Sequence, residues 1–189
     1  MTTDFRRHFT EHQQLVAKSI DALETASEAA SRALVSALAA GNKVLTLGNG
    51  GSSAEASHLA EELVGRYRKT RRPFPAICLT SDSGTVTCIA NDFGYEAVFD
   101  RQIEAFAQKG DVVVALTTSG KSENVLRALR TAKAQGAVTI ALTGQAGLNG
   151  VEADHVVAVP STDSAYIQEV HLMLIHVWCG AVEHSVDHE

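Results

Sequence analysis

His58 and Glu62 stand four residues apart in the stretch TLGNGGSSAEASHLAEEL, residues 46–63. That spacing puts both side chains on one face of a helix. An imidazole beside a carboxylate is a pair suited to acid–base chemistry. Just ahead of them the apolar run KVLTL turns through Gly48, Gly50 and Gly51. Glycines in such a turn permit positive φ and let a ligand approach the backbone closely. Ser52 and Glu55 have the spacing of a capping box, so the helix is expected to start at Ser52. Free N–H groups and the positive end of the helix dipole suit an anion there, most often a phosphate. An anion cradle beside a His/Glu pair has the outline of an active site.

A second loop of this kind is Thr117-Thr118-Ser119-Gly120-Lys121-Ser122, after the apolar run DVVVAL. Its Gly-Lys-Ser end mimics a Walker A motif, but Ala115 stands where the earlier glycine is required, so a nucleotide P-loop is rejected. Likewise GNGGSS is a poor dinucleotide fingerprint, since Ser53 replaces the third glycine and no acidic residue ends the next strand. Four hydroxyl residues in six, at a helix start, suit one phosphate monoester better than a plain turn capped by Ser122. Near the C-terminus IQEVHLMLIHVW sets Gln168, Glu169, His171 and His176 in an apolar helix. His171 and His176 lie about 140° apart around that helix and cannot face one site, whereas Gln168 and His176 are about 80° apart and can. Periodicity alone does not choose between the two histidines. His155, His184 and His188 read as structural or solvent-facing, and Trp178 as part of the apolar face.

The elements that must carry these groups follow from the pattern. Residues 4–25 and roughly 27–40 read as two helices, the second rich in alanine and ending at Gly41. These helices are expected to join subunits. Thereafter strands and helices alternate: KVLTL, the Ser52 helix, PAICL, a short helix ending near Asn91 and Asp92, the helix EAVFDRQIEAFA, DVVVAL, ENVLRALRTAKAQG, AVTIAL, HVVAV, and a long final helix from about Ser164 to near His184. Short, continuously apolar strands argue for an α/β fold with a doubly wound parallel sheet buried on both faces. No linker divides the chain, so residues 1–189 are expected to form one domain, an N-terminal helical extension over 1–41 and an α/β core over 42–189.

Composition narrows the function classes. The net charge of −6 argues against a general nucleic-acid binder. No apolar run approaches membrane-spanning length and the N-terminus has no signal-like core, so a cytoplasmic chain without membrane partners is expected. Cys78, Cys88 and Cys179 are widely spaced and are expected to be reduced, buried thiols.

GNGGS, the HLAEEL helix, GRY, ANDFGYE, TTSGKS and IQEVHLMLIH, in this order, resemble the sugar-isomerase (SIS) domain family, and within it the phosphoheptose isomerases. The resemblance implies a flavodoxin-like five-stranded sheet, a homotetramer and a site shared between subunits. It implies conversion of sedoheptulose 7-phosphate to D-glycero-D-manno-heptose 7-phosphate, the first step towards the ADP/GDP-heptose precursors of bacterial surface glycans such as lipopolysaccharide. By position it makes His58, Glu62, Gln168 and His176 the ligands of one zinc ion per subunit, and Glu62 and His176 also the catalytic pair. It thereby selects His176 over His171. It makes Asn49, Gly50, Gly51 and Ser52 of the first loop, Thr117, Thr118, Ser119 and Ser122 of the second, and Arg66, Asn91, Asp92 and Gln168 substrate contacts. Thr117 replaces a usual serine. Tyr166, in Asp163-Ser164-Ala165-Tyr166, stands where the family commonly has a basic residue, which bears on substrate preference rather than on the reaction. Two rival expectations are a non-catalytic SIS adaptor that binds the replication initiator and a SIS enzyme for another phosphosugar. The adaptor group lacks the residues that correspond to Glu62 and His176, and this chain has both.

Overall fold

The computed structural model describes residues 4–186. Five short aliphatic runs become strands: β1 Val44–Gly48, β2 Ala76–Cys78, β3 Val112–Thr117, β4 Val138–Gly144 and β5 His155–Val159. All neighbours pair in parallel, in the order β2-β1-β3-β4-β5. This is the flavodoxin-like order, whose switch point lies between β1 and β3. Among the described residues six α-helices accompany the sheet: α1 Phe5–Ala39, α2 Gly51–Val64, α3 Ser83–Phe93, α4 Asp100–Phe106, α5 Glu123–Ala134 and α6 Ser164–Val186.

The strands read as unbroken apolar runs because both faces of the sheet are covered. Val44, Val112, Val114 and Leu116 point to one side, into a core shared with α1, α2 and α6 around the fully buried Trp178. Leu45, Leu47, Val113 and Ala115 point to the other, against α3, α4 and α5 around Phe99. Register aligns Gly48 at the end of β1 with Leu116 of β3, so the loops that follow these strands emerge side by side.

Three local expectations are corrected. The two N-terminal helices are one continuous helix of 35 residues. No glycine or proline interrupts it, and its buried stripe Leu15, Ser19, Leu23, Ser27, Ala30, Leu34 and Leu38 keeps helical spacing straight through the expected break. Ser27 at that point is a packing residue: its Oγ accepts the indole N–H of Trp178 at 3.0 Å. EAVFDRQIEAFA is not one helix but a 3-10 turn, Tyr95–Ala97, followed by α4. Cys78 and Cys179 are buried, but Cys88 is exposed. His188 lies outside the described residues.

Candidate functional site

The first loop turns at Gly50, whose φ of 57° belongs to the left-handed region. α2 begins at Gly51, with Gly50 as N-cap and no side-chain hydrogen bond to the helix start. The expected capping box between Ser52 and Glu55 is therefore not formed. A Cβ on Gly51 would lie 2.5 Å from the Gln168 amide nitrogen. Ser52 is buried, and its hydroxyl lies 3.5 Å from that nitrogen. Glu55 turns inward instead, and burial pushes its carboxyl up to about 8, against a smaller lowering by the Ser52 hydroxyl.

The second loop follows β3. Thr117 is buried, and its hydroxyl accepts from the Gly120 N–H at 3.2 Å, so it shapes the loop from within. Gly120 has φ 64°, and a Cβ there would sit 1.7 Å from the carbonyl oxygen of Gly147. Ser119 is exposed, its hydroxyl accepting from the Lys121 N–H, and Thr118 meets the Ser164 hydroxyl at 3.1 Å. Ser122 is the N-cap residue of α5 but makes no side-chain cap bond. Its hydroxyl and that of Ser119 are the ones the loop offers most openly.

α2 and α6 run side by side, and their facing side chains form the second part of the site. His58 Nε2 lies 3.1 Å from His176 Nε2 and 3.4 Å from Glu62 Oε1. Ligand atoms of all three lie within 4.8 Å of one another. A tetrahedral zinc ion with N and O ligands at about 2.0–2.2 Å holds neighbouring ligand atoms about 3.3–3.6 Å apart. The two separations at His58 lie close to that spacing, which makes the trio a candidate ligand set for such an ion. His171 is the structural histidine of this helix. It is fully buried, its Nε2 donates to the Thr143 carbonyl at 3.2 Å, and burial lowers it to about 4. Gln168 sits two helical turns from His176, a rise of about 12 Å. Within one chain its amide rests on the first loop.

The wall behind the trio was not anticipated. The Tyr67 ring stacks on His176 with centroids 5.4 Å apart. Buried Glu183 fixes that turn by accepting N–H groups from Tyr67, Arg68 and Lys69 at 3.0–3.2 Å. Arg71 caps α2 by donating to the carbonyls of Glu62 and Leu63. GRY was the one visible signal, while Glu183 lies more than a hundred residues from the turn it holds. Cys179 lies in the same region, and burial, then the Glu62 charge, pushes its thiol up to about 12.

Of the remaining predicted contacts, Arg66 is exposed two residues beyond α2 and donates to the Thr70 hydroxyl at 3.4 Å. The length of α2 puts that end about 18 Å from Ser52. Asn91 and Asp92 are exposed at the end of α3 and bonded to each other at 2.7 Å. Tyr166 donates to Glu11 at 2.6 Å and packs on His8, joining α6 to α1 rather than offering a cation.

Comparison with known proteins gives concordant results. The SIS domain model matches residues 7–144. A phosphoheptose isomerase from Aliarcobacter butzleri is 45% identical over 96% of this chain and 97% of its own length. One from Aquifex aeolicus is 51% identical over 81% of each chain. The solved structure of a phosphoheptose isomerase from Francisella tularensis superposes with a TM-score of 0.93 at 35% identity, over 97% of this chain and all of that one.

Proposed function

The chain belongs to the SIS-domain family and within it to the phosphoheptose isomerases, and from that premise we propose that it converts sedoheptulose 7-phosphate to D-glycero-D-manno-heptose 7-phosphate. The observation that carries the reading is the trio His58, Glu62 and His176, with His58 3.1 Å from His176 and 3.4 Å from Glu62, on the helix pair α2 and α6 beside the anion-type loop.

Ketose-to-aldose conversion takes a proton from C1, next to the C2 carbonyl, and returns one to C2. Glu62 accepts the carbon-bound proton and delivers it to the neighbouring carbon of the enediol. His176, held against Tyr67, moves the hydroxyl proton between the two oxygens. Ser119 and Ser122 donate to the phosphate, with the N-terminus of α5 behind them. His58, Glu62 and His176 would hold a zinc ion, with Gln168 as the fourth expected ligand, and such an ion polarises carbonyl and hydroxyl oxygens.

A homotetramer with a site shared between copies belongs to the same reading. Ile20, Met173 and Val177 leave an apolar face open along α1 and α6. Arg66 and the second loop, expected at one substrate, lie at opposite ends of α2, which favours contributions from more than one copy. Among the described residues no helix is long and apolar enough to cross a membrane. A cytoplasmic location belongs to the same proposal.

The test is turnover of sedoheptulose 7-phosphate before and after chelation, with metal content measured alongside. Turnover lost on chelation and restored by zinc is expected. A chain that binds the phosphosugar without turnover or solvent-hydrogen exchange is an adaptor instead.

A further inference from the structure

The two ligand loops are joined by a closed set of side-chain hydrogen bonds. Asn49, half-buried in the first loop, faces Asn124, which is 4% exposed at the start of α5. Asn49 Nδ2 donates to Asn124 Oδ1 at 2.9 Å, and Asn124 Nδ2 donates back to Asn49 Oδ1 at 2.9 Å. The orientation of this pair is fixed by chemistry. The Val125 backbone N–H can only donate, and it reaches Asn124 Oδ1 at 3.0 Å. That atom is therefore the oxygen, and the Asn49 atom facing it is the nitrogen. The Tyr95 hydroxyl then donates to Asn49 Oδ1 at 2.9 Å.

A side-chain amide has two acceptor lone pairs and two donor hydrogens. At Asn49 both lone pairs are taken, by Asn124 and Tyr95, and one hydrogen is taken by Asn124. One N–H remains. We infer that Asn124 and Tyr95 are positioning residues that fix the Asn49 amide as a single hydrogen-bond donor between the two loops, able to bind only an acceptor such as a phosphate or sugar oxygen. The three partners come from the loop after β1, from α5 and from the turn after α3, so the bonds also hold both loops in register across the β1/β3 switch point. Asn124 touches no substrate in this assignment. It acts through Asn49.

The identity of the ligand rests on the isomerase reading, whereas the locked amide does not, and the experiment separates the two. In the ligand-free protein, one side-chain amide proton of Asn49 is expected to exchange slowly with solvent and the other fast, by nitrogen-resolved NMR. In N124A both are fast. With sedoheptulose 7-phosphate, N124A loses two bonds to Asn49 and should lower kcat/KM about tenfold or more, and Y95F, which alters only an exposed ring, about two- to twelvefold, the range for single hydrogen bonds. In an N49A background, N124A should cost less than a further twofold, because its effect passes through Asn49. Two fast protons in the wild type, wild-type kinetics in both N124A and Y95F, or full additivity of N49A and N124A would each overturn the inference. A slow proton in a wild type that turns over no sedoheptulose 7-phosphate would sink the isomerase reading and leave the locked donor standing.

Discussion

Replacing Glu62 by glutamine tests the proposed chemistry most directly. The side chain is 9% exposed, and glutamine matches its volume, so packing along α2 should hold. The end of that helix does not depend on the carboxylate, since Arg71 bonds the backbone oxygens of residues 62 and 63 at 2.6 and 2.8 Å. An amide oxygen also remains 3.4 Å from His58, where it can still face a cation. What disappears is the base. A positioned acid–base group contributes about 10²–10⁴ in rate, which corresponds to about 2.7–5.4 kcal/mol of barrier. Glu62→Gln should therefore lower kcat on sedoheptulose 7-phosphate by at least about a hundredfold. KM, the melting curve and the state of assembly should change little, because Ser119, Ser122 and the apolar face are untouched. The assay is proton NMR in deuterium oxide, which follows both turnover and deuterium entry at the carbon next to the carbonyl. Both should fall together. Turnover within tenfold of the wild type, with deuterium still entering, would refute Glu62 as the base.

Two other perturbations probe the scaffold. Gly120→Ala places a side chain at φ 64° and a Cβ 1.7 Å from the Gly147 carbonyl. The left-handed conformation alone costs about 1–2 kcal/mol, so urea unfolding should show at least that loss, with a raised KM as the second loop shifts; an unchanged midpoint and KM would contradict this. Glu55 supplies a pH dependence. Its carboxyl rises from 4.5 to about 8 on folding, so the folded chain binds a proton that the unfolded chain releases across that window. By linkage its stabilising contribution is complete below the lower value and is lost as pH rises through the upper one. Thermal melts should therefore fall more steeply between pH 5 and 8 in the wild type than in Glu55→Gln; parallel slopes would show that Glu55 ionises normally.

Much of this protein is written in local sequence. Continuous apolar strands, separated by helices with one apolar face, leave little choice but a parallel sheet covered on both sides. The glycines at 50 and 120 mark turns whose φ other residues rarely adopt. His58 and Glu62 share a face through helical spacing alone. Tertiary structure decided what spacing could not. It buried His171 against the Thr143 carbonyl and brought His176 to His58 across 118 positions of chain, a choice that depends on how α6 is rotated against α2. The continuity of α1 was likewise fixed by packing, since its weakly apolar stretch around Ser27 gains its reason only from Trp178. The same holds for Glu183 under the Tyr67 turn and for Asn124 and Tyr95 around Asn49. Each is a polar group whose partner lies tens to more than a hundred residues away. A hydrogen bond has no periodicity to announce it, and only the folded chain brings donor and acceptor together.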